Sequence, residues 1–360
     1  MVSLGPFMKE RNFLMAGGGT GGHVIPGLAV ARELQTRGHH VCFVGTEHGL
    51  EAKLVPAAGF DLQKIQIGGL NRVGLRQTVT SLGRLPIATA ASDRCVRTAS
   101  AVFSMGGYVA GPPVLAAILR RVPVVVMEPN AVPGFTNRSI SRLVARALVS
   151  FPETAAFFPR GRTEVTGLPV REEFFRIQPK PPGPVLQLLI TGGSQGSRTL
   201  NHAALQSWPL FLKAGFPIRI THQTGAPGFA EIRDAFAQSG LEGEIVPFIA
   251  DMPAAFAEAD LVVCRSGAGA VSELAAAGKP SILVPFPFAA DNHQTRNAQA
   301  MERGGAARLV RDAEMTGEKL FDTVSRIIAE LDAMGEAARQ FAKPGAAVRA
   351  ADVLEEVARA

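Results

Sequence analysis

Apolar residues in this chain gather in short unbroken runs, and most runs end on glycine or a polar residue. Arg11–Ala16, Val41–Val44, Val102–Ser104, Val122–Met127, Val185–Thr191, Leu261–Cys264 and Ser281–Pro285 read as strands. They show little polar alternation, as expected of parallel strands covered on both faces. Amphipathic stretches of helical length lie between them, among them Pro26 to Gly38, one from about Arg198, and the last, Gly345–Ala360. Repetition of strand, glycine turn and helix predicts the α/β class. The pattern starts twice, at Arg11 and again at Val185, after the breaker Pro179-Lys180-Pro181-Pro182-Gly183-Pro184. It therefore predicts two Rossmann-like parallel-sheet domains facing a cleft, with ligands beyond the C-terminal ends of the strands.

The densest chemistry lies in Leu261–Asn297. Leu261–Cys264 runs into Ser266-Gly267-Ala268-Gly269, small enough for backbone N–H groups to approach an anion at a helix N-terminus. Glu273 follows one turn inside that helix. A diphosphate repels a carboxylate, but a neutral diol such as a ribose can donate to it. Gly278-Lys279-Pro280 ends the helix, and after the next strand the loop Asp291-Asn292-His293-Gln294 offers groups suited to sugar hydroxyls and an acetamido group. An ordinary strand, turn and helix with a capping serine fits the same residues.

The first glycine turn, Gly17-Gly18-Gly19-Thr20-Gly21-Gly22-His23, contains Gly-x-Gly-x-x-Gly, and Glu47 follows the next strand. A dinucleotide site is one reading, although the run of glycines departs from that fingerprint. His23 is either a structural cap or an ionisable group at the mouth of a helix.

Composition narrows these readings. At 360 residues, with 47% apolar and 19% charged side chains, the chain can bury two globular cores. Cys42, Cys95 and Cys264 have no framework spacing, which points to a reducing cytosol. Lys9, Glu10 and Arg11 stand where a secretory apolar region would lie, so no signal peptide is expected. Thr98–Leu119 is uncharged and long enough to span a bilayer, but Gly106-Gly107 and Gly111-Pro112-Pro113 cut it into a strand, a turn and a helix start. The net charge of +6 calls for an anionic partner. A single Tyr and a single Trp leave few groups to stack on bases, so no nucleic-acid partner is expected. Arg72, Arg76 and Arg84 flank Leu75, Val79 and Leu82 at helical spacing, which suits either an anionic membrane surface or a solvated helix packed on its own domain.

GGTGGH at Gly18–His23, MGGY at Met105–Tyr108, GGSQG at Gly192–Gly196, CRSGA at Cys264–Ala268 and VSE at Val271–Glu273, in this order and spacing, resemble the MurG family of peptidoglycan glycosyltransferases. The resemblance runs from about Arg11 to the C-terminal helix. It implies the GT-B fold and an inverting transferase that moves N-acetylglucosamine from UDP-N-acetylglucosamine to the muramoyl 4-hydroxyl of lipid I, the undecaprenyl-diphosphate-linked N-acetylmuramoyl-pentapeptide. The product would be lipid II, for the cell wall. Residues 1–168, joined by the C-terminal helix 345–360, would form the acceptor and membrane domain, and residues 169–344 the UDP-sugar domain. The donor positions implied are Thr20, Gly21, Gly22, Asn130, Arg171, Ser194, Ile249, Ala268, Gly269, Ala270, Val271, Ser272, Glu273 and Gln294. Glu273 would bind the ribose, Ile249 the uracil and Gln294 the sugar, with Ser194 and Arg265 near the diphosphate. The family resemblance further implies a peripheral place on the cytoplasmic face of the inner membrane and no cofactor.

Inverting transfer needs a base for the acceptor hydroxyl and a site for the departing diphosphate. His23 is the candidate base, and glycine-loop amides, helix N-termini and Arg265 are the candidates for the diphosphate. The chain has no Asp-x-Asp pair, so no obligatory metal is expected. The alternatives are a UDP-N-acetylglucosamine 2-epimerase of the same architecture, an NAD-dependent dehydrogenase suggested by the first loop alone, and a non-catalytic nucleotide-sugar-binding protein.

Overall fold

Two parallel sheets organise the chain. A computed structural model describes residues 10–19, 21–68, 75–180 and 183–359, with the side chains of 75–82 and 359 outside that set. The first unit takes in the chain up to Pro169 and again from Gly345; the second is Val170–Pro344. The division precedes the proline-rich breaker rather than falling on it.

The first unit contains β1 (Asn12–Gly17), α1 (Gly21–Thr36), β2 (His40–Gly45), α2 (Glu51–Ala57), β3 (Asp61–Lys64), α3 (Leu75–Val96), β4 (Ala101–Gly106), α4 (Gly107–Leu119), β5 (Val124–Glu128), α5 (Phe135–Ile140), β6 (Arg146–Val149) and β7 (Thr163–Val165). The strands pair in parallel in the order β3-β2-β1-β4-β5-β6-β7. Every residue of β4 and β5 is buried, which explains their lack of alternation. Leu14, Val44, Val102, Val114 and Val126 share one core.

The second unit repeats the plan. It contains α6 (Glu172–Phe175), β8 (Leu186–Thr191), α7 (Arg198–Lys213), β9 (Ile218–Gln223), α8 (Phe229–Ala237), β10 (Glu242–Val246), α9 (Met252–Glu258), β11 (Leu261–Cys264), α10 (Ala268–Ala277), β12 (Ser281–Leu283), α11 (His293–Arg303), β13 (Ala307–Leu309), α12 (Gly317–Ile327) and α13 (Leu331–Gln340). Its parallel order is β10-β9-β8-β11-β12-β13. Two Rossmann-like parallel sheets are the architecture of the GT-B fold. In each, strand order reverses beside the first strand, between β1 and β4 and between β8 and β11, and the glycine turns leave the C-terminal ends of those strands.

The last helix, α14 (Ala346–Arg359), belongs to the first unit. Arg37, just past α1, binds Asp352 at 2.7 Å and Glu355 at 3.2 Å, and His39 Nε2 meets the buried Glu355 at 2.8 Å. Among the described residues no helix is long and apolar enough to cross a membrane.

Three expectations shift. α1 starts at Gly21, so Pro26 lies inside it rather than at its start. α4 starts at Gly107, the second of two glycines with φ of 78° and 76°, so Pro112 and Pro113 also lie inside a helix. A proline φ is helical, and its cost there is the lost bond to the carbonyl four residues back. His293 and Gln294 open α11 instead of lying in a loop. Asp291 and Asn292 adopt φ of 49° and 55°, a left-handed conformation these two residue types tolerate, and so complete the turn early.

Candidate functional site

In the second unit, β11 delivers the chain into α10, whose N-cap is Gly267 and which has no side-chain cap. Ser266 is fully buried and its hydroxyl donates to the Gln294 carbonyl at 2.9 Å, so it is not a capping serine. Among the described residues the first-turn amides of Ala268, Gly269 and Ala270 are thus left without a side-chain acceptor, the arrangement that binds anions. A Cβ added at Gly269 would meet nothing within 4 Å, so it borders open space. By contrast, the other helix at this switch point, α7, is capped by Ser197, whose hydroxyl accepts the Leu200 N–H at 3.3 Å.

Buried Gln223 joins two of the expected donor loops. Its Nε2 donates to the Gly193 carbonyl at 2.8 Å and to Thr191 Oγ1 at 3.1 Å, and its Oε1 accepts the Ile249 N–H at 2.8 Å. Ser194 is exposed on the first of these loops and Ile249 half-buried on the second. A Cβ at Gly196 would sit 1.8 Å from the Thr224 oxygen, which is why that loop needs glycine. Arg265 is held by four partners. It donates to the carbonyls of Val284 at 3.1 Å and Pro285 at 3.3 Å and to Ser197 Oγ at 2.7 Å, and it pairs with Asp312. Arg265, expected near the diphosphate, is thus a paired side chain that braces the end of β11 against the cap of α7.

Glu273 is half-buried on α10, beside Val271 and Ser272. Burial pushes its pKa up to about 7, partly offset by the guanidinium of Arg171, which is exposed at the start of α6. Gln294 Oε1 accepts the Phe286 N–H at 2.9 Å, and its Nε2 lies 4.0 Å from the position of a Cβ on Gly267, so its donors are at the mouth of α10. His293 Nδ1 lies 2.7 Å from the Ala290 carbonyl, and burial lowers the pKa of the ring. A carbonyl only accepts, so the neutral ring carries its proton on Nδ1 and offers Nε2 as an acceptor.

In the first unit, Gly17–Gly19 leave β1, Thr20 lies outside the described residues, and Gly21 and Gly22 open α1. Beneath this loop sits Glu51, which has no accessible surface. Its Oε2 accepts the Gly19 N–H at 2.8 Å, and its Oε1 accepts the Thr46 N–H at 2.9 Å and the Thr46 hydroxyl at 2.7 Å. Burial alone would raise its pKa, but these bonds outweigh burial and hold the carboxyl below its ordinary value. Glycines make the room: a Cβ at Gly18, Gly45 or Gly49 would lie 2.5, 2.5 or 2.1 Å from the Glu51 side chain. Sequence reasoning missed Glu51, although the glycines at 45 and 49 were the available signal of a close approach. A carboxylate that takes a loop amide and repels phosphate also removes the dinucleotide reading of this loop.

His23 is the third residue of α1. Its Nδ1 lies 3.3 Å from the Gly18 carbonyl, and its ring sits against Gly107, where a Cβ would come within 3.4 Å. Asn130 follows β5 and is held by buried Glu128, which accepts from its N–H at 3.0 Å and its Nδ2 at 3.1 Å. Glu128 also accepts from Asn137 at 2.9 Å and the Gly134 N–H at 3.1 Å; burial nonetheless raises its pKa. Of the basic segment, Arg84 is exposed on α3, Arg72 lies outside the described residues, and Leu75, Arg76, Val79 and Leu82 are placed on α3 by their backbone only.

Two family models cover most of the chain: the glycosyltransferase family 28 N-terminal domain over residues 13–149 and the glycosyltransferase family 28 C-terminal domain over residues 187–356. A protein of Solibacter usitatus named UDP-N-acetylglucosamine--N-acetylmuramyl-(pentapeptide) pyrophosphoryl-undecaprenol N-acetylglucosamine transferase is 78% identical, over 97% of this chain and 96% of that protein. A protein of the same name from Anaeromyxobacter sp. is 42% identical over 96% of this chain and 93% of its own. The crystal structure of MurG from Acinetobacter baumannii superposes with a TM-score of 0.83 at 34% identity, over 96% of this chain and 99% of that one.

Proposed function

This chain belongs to the MurG group of glycosyltransferase family 28, and we infer from that membership that it transfers N-acetylglucosamine from UDP-N-acetylglucosamine to lipid I, forming lipid II for peptidoglycan. The observation that best supports a UDP-sugar donor is the uncapped N-terminus of α10, with Glu273 further along the same helix. The amides of Ala268, Gly269 and Ala270 take the diphosphate, Glu273 accepts from the ribose hydroxyls, Ile249 lies against uracil, and Gln294 donates to the sugar. His23 Nε2 accepts the proton of the muramoyl 4-hydroxyl. That oxygen bonds to the anomeric carbon as the bond from this carbon to the β-phosphate oxygen breaks, the electron pair leaves with UDP, and the configuration inverts. The charge growing on UDP meets amides already oriented at the helix mouth, so little reorganisation is required.

The enzyme acts, on this reading, as a peripheral protein of the cytoplasmic membrane face, with α3 against anionic lipid. Exposed Arg84, and Ile87 with 72% of its surface accessible, support that placement.

Incubation of the protein with labelled UDP-N-acetylglucosamine and a lipid I analogue tests the activity. Label should pass to the lipid and UDP should be released in equal amount. Conversion of the nucleotide sugar without acceptor would identify an epimerase instead, and tight binding without turnover a sensor.

A further inference from the structure

We propose that Glu51 is a positioning residue that fixes the tautomer of His23 through the Gly18–Gly19 peptide group. The proposal rests on the reading of His23 as the base. The Gly18 carbonyl that His23 Nδ1 meets at 3.3 Å and the Gly19 N–H that Glu51 Oε2 accepts at 2.8 Å belong to one peptide group. Because a carbonyl oxygen only accepts, this contact requires the proton on Nδ1 and leaves Nε2 with the lone pair a base needs. An N–H that donates to a carboxylate is polarised, and the carbonyl conjugated with it becomes the stronger acceptor. The negative charge thus acts through a rigid peptide as the aspartate of a Ser-His-Asp site acts by direct contact: it holds the imidazole in one tautomer and favours the imidazolium formed during transfer.

The surroundings support a dedicated role for the charge. A fully buried carboxylate is costly, and this one sits in a space that Gly18, Gly45 and Gly49 leave open, with the Thr46 N–H and hydroxyl filling its other oxygen. Both oxygens therefore receive hydrogen bonds from fixed donors. Glutamine has the same shape but only one acceptor oxygen, so it cannot accept from Gly19 and Thr46 together.

The test uses the full chain with isotope-labelled histidine, the His23 ring signals being assigned by their loss in His23→Ala. In the unmodified protein, above the imidazole titration, Nδ1 should carry the proton. Glu51→Gln should shift the population toward Nε2–H and lower kcat by about 10- to 100-fold, the size of loss seen when a metal-bound histidine loses the partner that orients it. Its Kd for UDP-N-acetylglucosamine should stay at the wild-type value. An Nε2–H tautomer in the unmodified protein overturns the proposal, even if Glu51→Gln does not fold. So does a folded Glu51→Gln in which either the tautomer or kcat is unchanged, since a fall in kcat alone reflects a mere brace. Failure of the base reading is a separate result: His23→Ala would then turn over normally. Loss of turnover in His23→Ala, with no effect of Glu51→Gln, removes the relay and leaves the base.

Discussion

Glu273 is asked to do two things that pull against each other. Half-buried on α10, its carboxyl has a pKa pushed up by desolvation to about 7, so much of it is protonated near neutrality before a ligand arrives. Ribose hydroxyls donating to it favour the ionised form, so UDP binding should release a proton and tighten as pH rises from about 6 to about 8. Glu273→Gln should abolish that pH dependence, which calorimetry in buffers of different ionisation enthalpy would check. The sign for stability is the reverse. A carboxyl whose folded pKa lies above its unfolded value contributes stability that is fully present below the unfolded pKa of 4.5 and is lost as pH rises through about 7. Glu273→Gln should therefore raise Tm relative to the wild type in thermal scans at about pH 8 and not at about pH 5. Glu273→Ala should weaken UDP by about 10- to 100-fold while the protein still folds; unchanged affinity would take Glu273 off the ribose.

At the scale of elements, the account depends on α10 presenting bare amides to a diphosphate. Gly269 lies in its first turn with open space where a Cβ would go, so Gly269→Asp introduces a negative charge there without steric conflict. Aspartate suits a helix N-terminus, and a helical glycine is costly, so this variant should gain roughly 0.5–1 kcal/mol of stability. It should nonetheless lose at least about tenfold in UDP affinity, because the new carboxylate occupies the anion site. Titration calorimetry and thermal scans separate the two effects, and undiminished UDP binding would move the diphosphate away from α10. This element was legible in the sequence because an unalternated run, small residues and a helix pattern stand in one row. Other features depend on contacts between residues distant in sequence. Nothing around Arg265 shows that it pairs with Asp312 and donates to Ser197, or that Gln223 ties two loops together. Glu51 reads as an ordinary helix residue until Gly18, 33 positions earlier, is seen to need its room. The end of the loop before α11 was misjudged because asparagine and aspartate can turn left-handed without glycine to mark the place.

Over the whole molecule, one topology is used twice for different chemistry: the second unit carries the helix mouth and carboxylate suited to a nucleotide sugar, and the first carries a histidine braced by a glycine loop. The proposed membrane face belongs to the first unit. Charge reversal at Arg76 and Arg84 should reduce sedimentation with anionic vesicles and make the residual binding less sensitive to salt; unchanged sedimentation would place the membrane contact elsewhere. The central claim is that donor binding and proton transfer belong to different residues, and His23→Ala tests it most directly, with UDP-N-acetylglucosamine affinity and transfer to a lipid I analogue measured on the same folded protein. The account predicts near-normal donor affinity and a loss on the order of 10² to 10⁴ in turnover, the range for a general base. Lower thermal stability and weaker donor binding, with normal turnover by the folded fraction, would contradict it and reduce His23 to a cap for its loop.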